Sequence, residues 1–210
     1  MSNKIIFIII ISLLGLVLLI QIVFLFRNLL IGYIKNKNHL KNKKRKKVIE
    51  QVDIFINNVV TSLAKLSYDK IGGIIIIENR DNLDKYINLG TKVKSDFLPE
   101  FITSIFYNHK SPLHDGAMIV RDLKICSLSS YLPLTRRIIS VEYGSRHRAA
   151  FGICEYFDCL SFVVSETSGN ITFAYKSIIR RLSSNPIQLT IELTEIFRKF
   201  WIYNKFVRKD

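Results

Sequence analysis

The sequence GGIIIIE at residues 72–78 decides the fold of this chain. Two glycines lead into four consecutive isoleucines, Ile74–Ile77, and β-branched side chains of this kind favour extended strands. Because neighbouring side chains of a strand point to opposite faces of the sheet, an unbroken apolar run predicts a strand that is buried on both faces. We therefore expect this strand at the centre of a sheet.

The remaining elements follow on the C-terminal side of this strand. Strands are predicted at residues 117–120, 124–132, 160–164 and 170–175, and helices at residues 95–107, 146–151 and 187–206. Ser95 is the expected N-cap of the first of these helices, with Pro99 in its first turn. The pattern indicates an α/β domain in which helices surround a mixed central β-sheet.

The N-terminal part of the chain has a different composition. Residues 5–26 are an apolar run without a charge, and as a helix rising roughly 1.5 Å per residue they would span about 33 Å, enough to cross a bilayer. A cleaved signal peptide and a buried core helix are the alternatives. The run is long for the apolar region of a signal peptide, and no small-x-small cleavage site follows it. A single transmembrane helix at 5–26, after a short tail at 1–4, is the expectation.

The charges beside this run predict its orientation. Only Lys4 precedes it, whereas residues 27–47 carry nine basic and no acidic residues, and basic flanks stay on the cytoplasmic side. We expect a single-pass protein of the cell membrane with residues 27–47 as a basic linker and the rest of the chain in the cytoplasm. Residues 48–210 hold 21 basic and 17 acidic residues, a net charge of +4, so attraction to anionic lipid explains most of the basic excess. A nucleic-acid partner is not expected.

Two further helices and the cysteines raise questions of packing. Apolar residues at steps of three and four predict an amphipathic helix at 48–66, which either packs on the domain or forms a subunit contact. The last helix has an apolar side that fits either the core or a bilayer, and core packing is favoured. Cys126, Cys154 and Cys159 follow no zinc-ligand spacing and are expected to be reduced core residues.

The segment PLHDGA at residues 112–117 is the first stretch that could carry chemistry. His114 and Asp115 lie side by side at the start of a predicted strand, and Gly116 and Ala117 are too small to block close approach. A phosphate or a metal ion could therefore reach both polar side chains. The alternative is an ordinary solvated Asp-Gly turn.

The segment YGSRHRAA at residues 143–150 is the second. Gly144 and Ser145 lead into a predicted helix, whose first backbone N–H groups are free to bind an anion. Arg146 and Arg148 add forked donors suited to phosphate. The segment matches neither the dinucleotide-binding fingerprint nor the P-loop. Its alternative is a basic helix start on a solvated face.

Taken together, these segments resemble the diadenylate cyclase (DisA_N or DAC) domain family. PLHDGAMIV resembles that family's PLHDGA segment, and YGSRHRAAFGI resembles its GTRHRAA segment. The resemblance continues through YLPLT, DKIGGIIIIE, LGTKVKSDFLPEFITSIF and LSFVVSETSGNITF, and covers about residues 66–182. It implies a catalytic domain at 67–182, followed by a C-terminal helix at 183–210.

The resemblance also implies a reaction. Two facing domains of a homodimer would each hold one ATP, and each 3′-hydroxyl would attack the α-phosphorus of the other nucleotide with loss of pyrophosphate. The product would be the second messenger cyclic di-AMP, and a divalent metal (Mg²⁺, Mn²⁺ or Co²⁺) would be the cofactor. A catalytically inactive, membrane-bound sensor of ATP or cyclic di-AMP is the alternative. Both motifs keep their Asp and Arg residues, which favours the enzyme.

Site residues are carried over from the family one by one. The catalytic residues would be Asp115, Arg146, His147 and Arg148. The ATP-binding residues would be Gly116, Ala117, Leu132, Gly144, Ser145, Arg146, His147, Arg148 and Ser165. The metal ligands would be His114, Asp115 and Glu166. Thr167 stands where the family has a second acid, so the metal shell is the part of the site on which this chain departs from the pattern.

Overall fold

A computed structural model describes residues 2–202, with the side chains of residues 46–201 and of scattered positions between 14 and 37. The chain divides into two compact units, Met1–Gln51 and Val52–Asp210. The helices are α1 (Ser2–Tyr68), α2 (Asp84–Ile87), α3 (Pro99–Tyr107), α4 (Ser145–Tyr156) and α5 (Pro186–Ile196), with a 3₁₀ turn at Pro112–His114 and a π-helical turn at Phe197–Ile202. The strands are β1 (Gly73–Glu78), β2 (Thr91–Asp96), β3 (Ala117–Arg121), β4 (Lys124–Ser130), β5 (Cys159–Val164), β6 (Ile171–Tyr175) and β7 (Ile178–Leu182).

The second unit is built on one seven-stranded sheet. Its strand order is β2-β4-β3-β1-β5-β6-β7, and β1 pairs with β3 in parallel whereas the other pairs are antiparallel. All six residues of β1 are buried. Ile75 and Ile77 belong to the core on one face, and Ile74 and Ile76 to the core on the other. The prediction of a central strand in a mixed α/β fold is confirmed.

The second half of α1 packs against the sheet. Its buried apolar side chains recur at helical spacing and are Val52, Phe55, Ile56, Val59, Val60, Leu63 and Leu66. The Phe55 ring lies 4.9 Å from that of Phe97, 5.8 Å from Phe197 and 6.4 Å from Trp201. Of the two roles left open for the predicted helix at 48–66, these residues serve packing within the domain.

The structure describes only part of the N-terminal segment, residues 5–47, for which an anchor and a linker were predicted. The apolar run at 5–26 and the linker at 27–47 both lie within α1, and many of their side chains, including those of residues 5–13, are outside the described residues. Across the part of the chain that the structure describes, no helical stretch combines the length and hydropathy that a bilayer crossing requires. The transmembrane helix therefore stays a prediction.

One predicted helix start was wrong, and three short elements were not predicted. Ser95 does not cap a helix, because residues 91–96 form β2, which pairs with β4, and the hydroxyl of Ser95 donates to the Asp96 carbonyl. Helix α3 begins at Pro99, whose fixed φ suits the first helical position. Strands β2 and β7 and the short helix α2 were missed. Four of the five β7 residues are exposed, so its sequence lacks the apolar alternation of a half-buried strand.

The C-terminal segment and the cysteines agree with expectation. Leu189, Leu193 and Ile196 of α5, with Phe197 and Trp201 of the π-helical turn, lie in the core, which confirms core packing for this segment. Residues 203–206 of the predicted helix are outside the described residues. All three cysteines are free; Cys154 and Cys159 are buried, and Cys126 is half-buried.

Candidate active site

An open cavity of about 200 Å³ lies where the start of β3, the end of β4 and the N-terminus of α4 meet. Six predicted site residues line it, five of them from the two motifs: Asp115, Gly116, Ala117, Ser145 and Arg146, together with Leu132. The fold therefore brings the two segments, some thirty residues apart in sequence, to the walls of one cavity.

Local backbone geometry sets the position of Asp115. Ser111 accepts a hydrogen bond from the Leu113 N–H at 3.2 Å and so caps the 3₁₀ turn before it. Gly116 follows with φ +92°, and a Cβ there would lie 2.8 Å from the backbone carbon of Ser129. Glycine is thus required where the chain passes β4 at close range. Asp115 itself is exposed at the mouth of the cavity.

His114 lies beside the cavity and is not part of its lining. Its Nδ1 is 2.6 Å from the Ser111 carbonyl oxygen, which can only accept, so Nδ1 carries the proton and donates. In the neutral ring this leaves a lone pair on Nε2, the form in which histidine binds metals. The His114 ring also meets the ring of His109 edge to face, with centroids 5.3 Å apart.

Arg146 is the cation of the cavity. It lies in the first turn of α4, whose N-cap, Gly144, provides no side chain to satisfy the first N–H groups. Its Nη1 donates to the Glu166 carboxylate at 2.7 Å, and only 19% of its side chain is exposed. Among the described residues, its buried Nε has no hydrogen-bond partner. A forked donor and a helix N-terminus therefore face the same space, an arrangement suited to phosphate.

The other predicted phosphate-binding residues lie elsewhere. His147 is only 5% exposed; its ring packs against Tyr143 and Phe151, and its Nε2 is 3.3 Å from the Thr172 hydroxyl. Arg148 is exposed, and its carbonyl accepts from the Thr135 N–H at 2.9 Å. Neither side chain is on the cavity wall, and Gly144 is also outside it.

The burial of His147 has a consequence for acid stability. Burial lowers the pKa of His147, and the Glu142 carboxylate opposes this shift. Above the unfolded-state pKa of about 6.5 both states are neutral, so this contribution to stability is fully present. As the pH falls below that value, the unfolded chain binds a proton that the folded chain takes up only at lower pH, and stability is lost.

We therefore expect His147→Gln to flatten the acid side of the stability profile. Between pH 7.5 and 5, the wild-type free energy of unfolding should fall through this group by up to about 1.4 kcal/mol per pH unit, and the variant should lack that component. Urea unfolding at several pH values measures the slope. Thr172→Val is the matched control, because it removes the hydroxyl partner and keeps the imidazole. Equal slopes for His147→Gln and wild type would contradict the prediction.

The predicted metal ligands are not assembled into one set. Within the described residues, no three His, Cys, Asp or Glu side chains are close enough to hold a metal ion. Asp115 lines the cavity, whereas Glu166 is paired with Arg146. Mg²⁺ commonly takes one or two protein carboxylates and completes its shell with water and phosphate oxygens. The donor set of Asp115, with His114 beside it, fits a cation that binds together with a phosphorylated substrate.

Ser165 supports a turn and does not line the cavity. Its carbonyl accepts from the Gly169 N–H at 2.8 Å, and its N–H donates to the Asn170 carbonyl at 3.0 Å. Its hydroxyl accepts from the Ser168 N–H at 3.3 Å. These bonds close the loop that joins β5 to β6.

Sequence reasoning missed half of the cavity lining. The additional residues are Ile74, Ser129, Ser130, Tyr131, Leu134 and Ala149. The pairing of Ala117 with Ser130 places the end of β4 beside the start of β3. The predicted strands at 117–120 and 124–132 are separated by only three residues, so the register of a hairpin between them was the signal that could have found Ser130 and its neighbours. The cavity thus combines apolar walls, hydroxyls, one carboxylate and one guanidinium.

Comparisons with known proteins identify the family of the chain. The model of the DAC family, described as DisA bacterial checkpoint controller nucleotide-binding, matches residues 60–179. A protein of Mycoplasma genitalium named diadenylate cyclase is 57% identical over 139 residues, which cover 66% of this chain and 70% of that protein. The cyclic di-AMP synthase CdaS of Bacillus subtilis is 37% identical over 136 residues, 65% of each chain. A crystal structure of a DacA double mutant from Staphylococcus aureus matches with a TM-score of 0.60 and 32% identity, covering 76% of this chain and 98% of that one.

Proposed function

The chain belongs to the DAC family of nucleotide-binding domains, and on that premise we propose that it condenses two ATP molecules into cyclic di-AMP and two pyrophosphates. Relatives at 55–57% identity are named diadenylate cyclase, so the chain is a nucleotidyltransferase. One observation carries the proposal for the site. Asp115 and Arg146, the carboxylate and the guanidinium that this reaction needs, line the same cavity.

The triphosphate is assigned to the Arg146 side of the cavity. The Arg146 guanidinium, the free N–H groups at the start of α4 and the Ser145 hydroxyl provide donors there. They would bind the phosphates and stabilise the charge that develops on pyrophosphate as it leaves. Leu132 and Leu134 provide an apolar wall for the adenine.

Asp115 is assigned to the attacking hydroxyl. The 3′-oxygen of one ATP forms a bond to the α-phosphorus of the other, the bond from that phosphorus to the β-phosphate bridging oxygen breaks, and the carboxylate receives the hydroxyl proton. Positioning and charge stabilisation dominate such reactions, so a covalent protein intermediate is not needed. A divalent cation held by Asp115 and His114 would supply further neutralisation of phosphate charge.

The second ATP requires a second copy of the chain. The cavity is lined by one carboxylate and one guanidinium, the charged groups assigned to one nucleotide. Cyclic di-AMP contains two phosphodiester bonds made by reciprocal attack, so two sites that each hold one ATP must face each other. We therefore propose a homodimer, at least during catalysis.

Membrane anchoring is proposed from the sequence. The uncharged apolar run at 5–26 and the basic residues at 27–47 support a single-pass anchor with the catalytic unit in the cytoplasm. Confinement to a membrane surface would raise the frequency with which two catalytic units meet.

The test is product formation by the full chain purified in detergent. With ATP and Mg²⁺, Mn²⁺ or Co²⁺ supplied separately, mass-resolved chromatography should detect cyclic di-AMP and pyrophosphate. If the reactive species is a dimer, the rate per mole of protein should rise with protein concentration in the dilute range. Folded protein that binds ATP but yields no product with any metal would overturn the proposal in favour of a nucleotide sensor.

A further inference from the structure

The last turn of α1 is tied to the loop at residues 165–170, which joins β5 to β6 and is called the β5–β6 loop below. The buried Ser67 hydroxyl donates to the Gly169 carbonyl at 2.6 Å, across 102 positions of sequence. Gly169 has φ +74°, and a Cβ there would lie 2.5 Å from the Ser67 carbonyl oxygen. The two backbones therefore touch, and the hydroxyl bond fixes their register.

The β5–β6 loop is held as a unit from this point. Gly169 donates its N–H to the Ser165 carbonyl at 2.8 Å, and Ser165 donates its own to the Asn170 carbonyl at 3.0 Å. An anchor at Gly169 consequently fixes the backbone of Ser165 and of its neighbour, Glu166.

Glu166 connects the β5–β6 loop to Arg146 through an ion pair. Its carboxylate accepts from Arg146 at 2.7 Å, although 62% of the Glu166 side chain is exposed. An exposed ion pair is weak unless its backbone is already placed, because ordering two long side chains costs entropy. Gly72, just after α1, lies against this ion pair. A Cβ there would be 2.8 Å from the Arg146 guanidinium and 2.9 Å from the Glu166 carboxylate.

We propose that Ser67 is a positioning residue for nucleotide binding: through the β5–β6 loop and Glu166, the end of α1 sets the place of the Arg146 guanidinium. The identity of the anion, the triphosphate of ATP, rests on the proposed function. In this arrangement, a displacement of the last turn of α1 changes the affinity of the site without any contact between α1 and the nucleotide.

The test compares Ser67→Ala with Ser62→Ala in the full chain. Both serines are buried on α1, but the Ser62 hydroxyl donates only within the helix, to the Asn58 carbonyl at 2.7 Å. Ser67→Ala should raise the Kd and the KM for ATP roughly five- to fiftyfold, with a smaller change in kcat. Ser62→Ala should stay within about twofold of wild type, and Ser67→Thr, which restores the hydroxyl, should recover most of the loss.

Two further measurements separate positioning from general destabilisation. Hydrogen exchange at the Gly169 and Asn170 amides should accelerate in Ser67→Ala and not in Ser62→Ala. In a Glu166→Gln background, Ser67→Ala should change the Kd for ATP by less than about twofold further, because residues acting through one contact are not additive. Unchanged exchange in this loop, or fully additive effects, would overturn the proposal. If the chain makes no cyclic di-AMP, the proposed function fails, whereas exchange and ATP affinity still decide the role of Ser67.

Discussion

Asp115→Asn is expected to reduce cyclic di-AMP synthesis roughly 100- to 10,000-fold, the range associated with losing a general base. The amide has the shape of the carboxylate, but it cannot take the proton of the attacking hydroxyl and is a poor ligand for a cation. Asp115 is exposed and is not one of the donors assigned to the triphosphate, so the Kd for ATP without added metal should stay within about threefold.

The measurement is single-turnover product formation beside ATP binding by calorimetry. Asp122→Asn is the matched control, because it makes the same substitution at the other end of β3, in the turn to β4 and away from the cavity. Its rate should equal that of the wild type. Comparable product from Asp115→Asn and Asp122→Asn would remove Asp115 from the chemistry.

Gly152→Ala is expected to lower the free energy of unfolding by about 3 kcal/mol or more. The added methyl group would overlap backbone atoms, which cannot move aside as a flexible side chain can. In an exposed helix the same substitution stabilises by up to about 1 kcal/mol. Here a Cβ would lie 2.1 Å from the Pro133 carbonyl oxygen and 2.7 Å from the backbone of Leu134 and Thr135. That segment is also fastened to α4 by a bond of 2.5 Å between the Thr135 hydroxyl and Glu155.

Urea unfolding of the full chain tests this prediction. Gly144→Ala is the control for stability alone, because a Cβ at Gly144 meets no atom within 4 Å. It should change the free energy of unfolding by less than about 1 kcal/mol. A Gly152→Ala variant as stable as Gly144→Ala would show that residues 133–135 can move away from α4 freely.

Sequence patterns predicted the buried parts of the fold better than its edges. The run Ile74–Ile77 follows two glycines and is only four residues long, and a short bounded β-branched run of this kind indicates a strand covered on both faces, whatever its partners are. The edge strands β2 and β7 expose most of their residues, and their pairing with β4 and β6 is a tertiary property. Near β2, the serine and proline signals of a helix start outweighed the strand pattern.

The site was predicted where its chemistry is local in sequence. Asp115 and Arg146 could be chosen from their own motifs, and the fold places both in the cavity. His147 could not be judged from the motif, because a step of one residue turns a helix by about 100° and directs its ring into the core. The pairing of Arg146 with Glu166 was also out of reach, since it depends on how α4 packs against the β5–β6 loop.

The packing of Phe55 against Phe97, Phe197 and Trp201 limits where a fragment without the predicted membrane segment can begin. Removing everything before residue 67 keeps every strand, but it would delete eight buried side chains, seven of them apolar, and expose Phe97, Phe197 and Trp201 to solvent. Such a fragment would aggregate for reasons unrelated to catalysis. A cut upstream of Val52 retains the whole apolar face of α1, so the predicted membrane segment and the enzyme can be separated without opening the core.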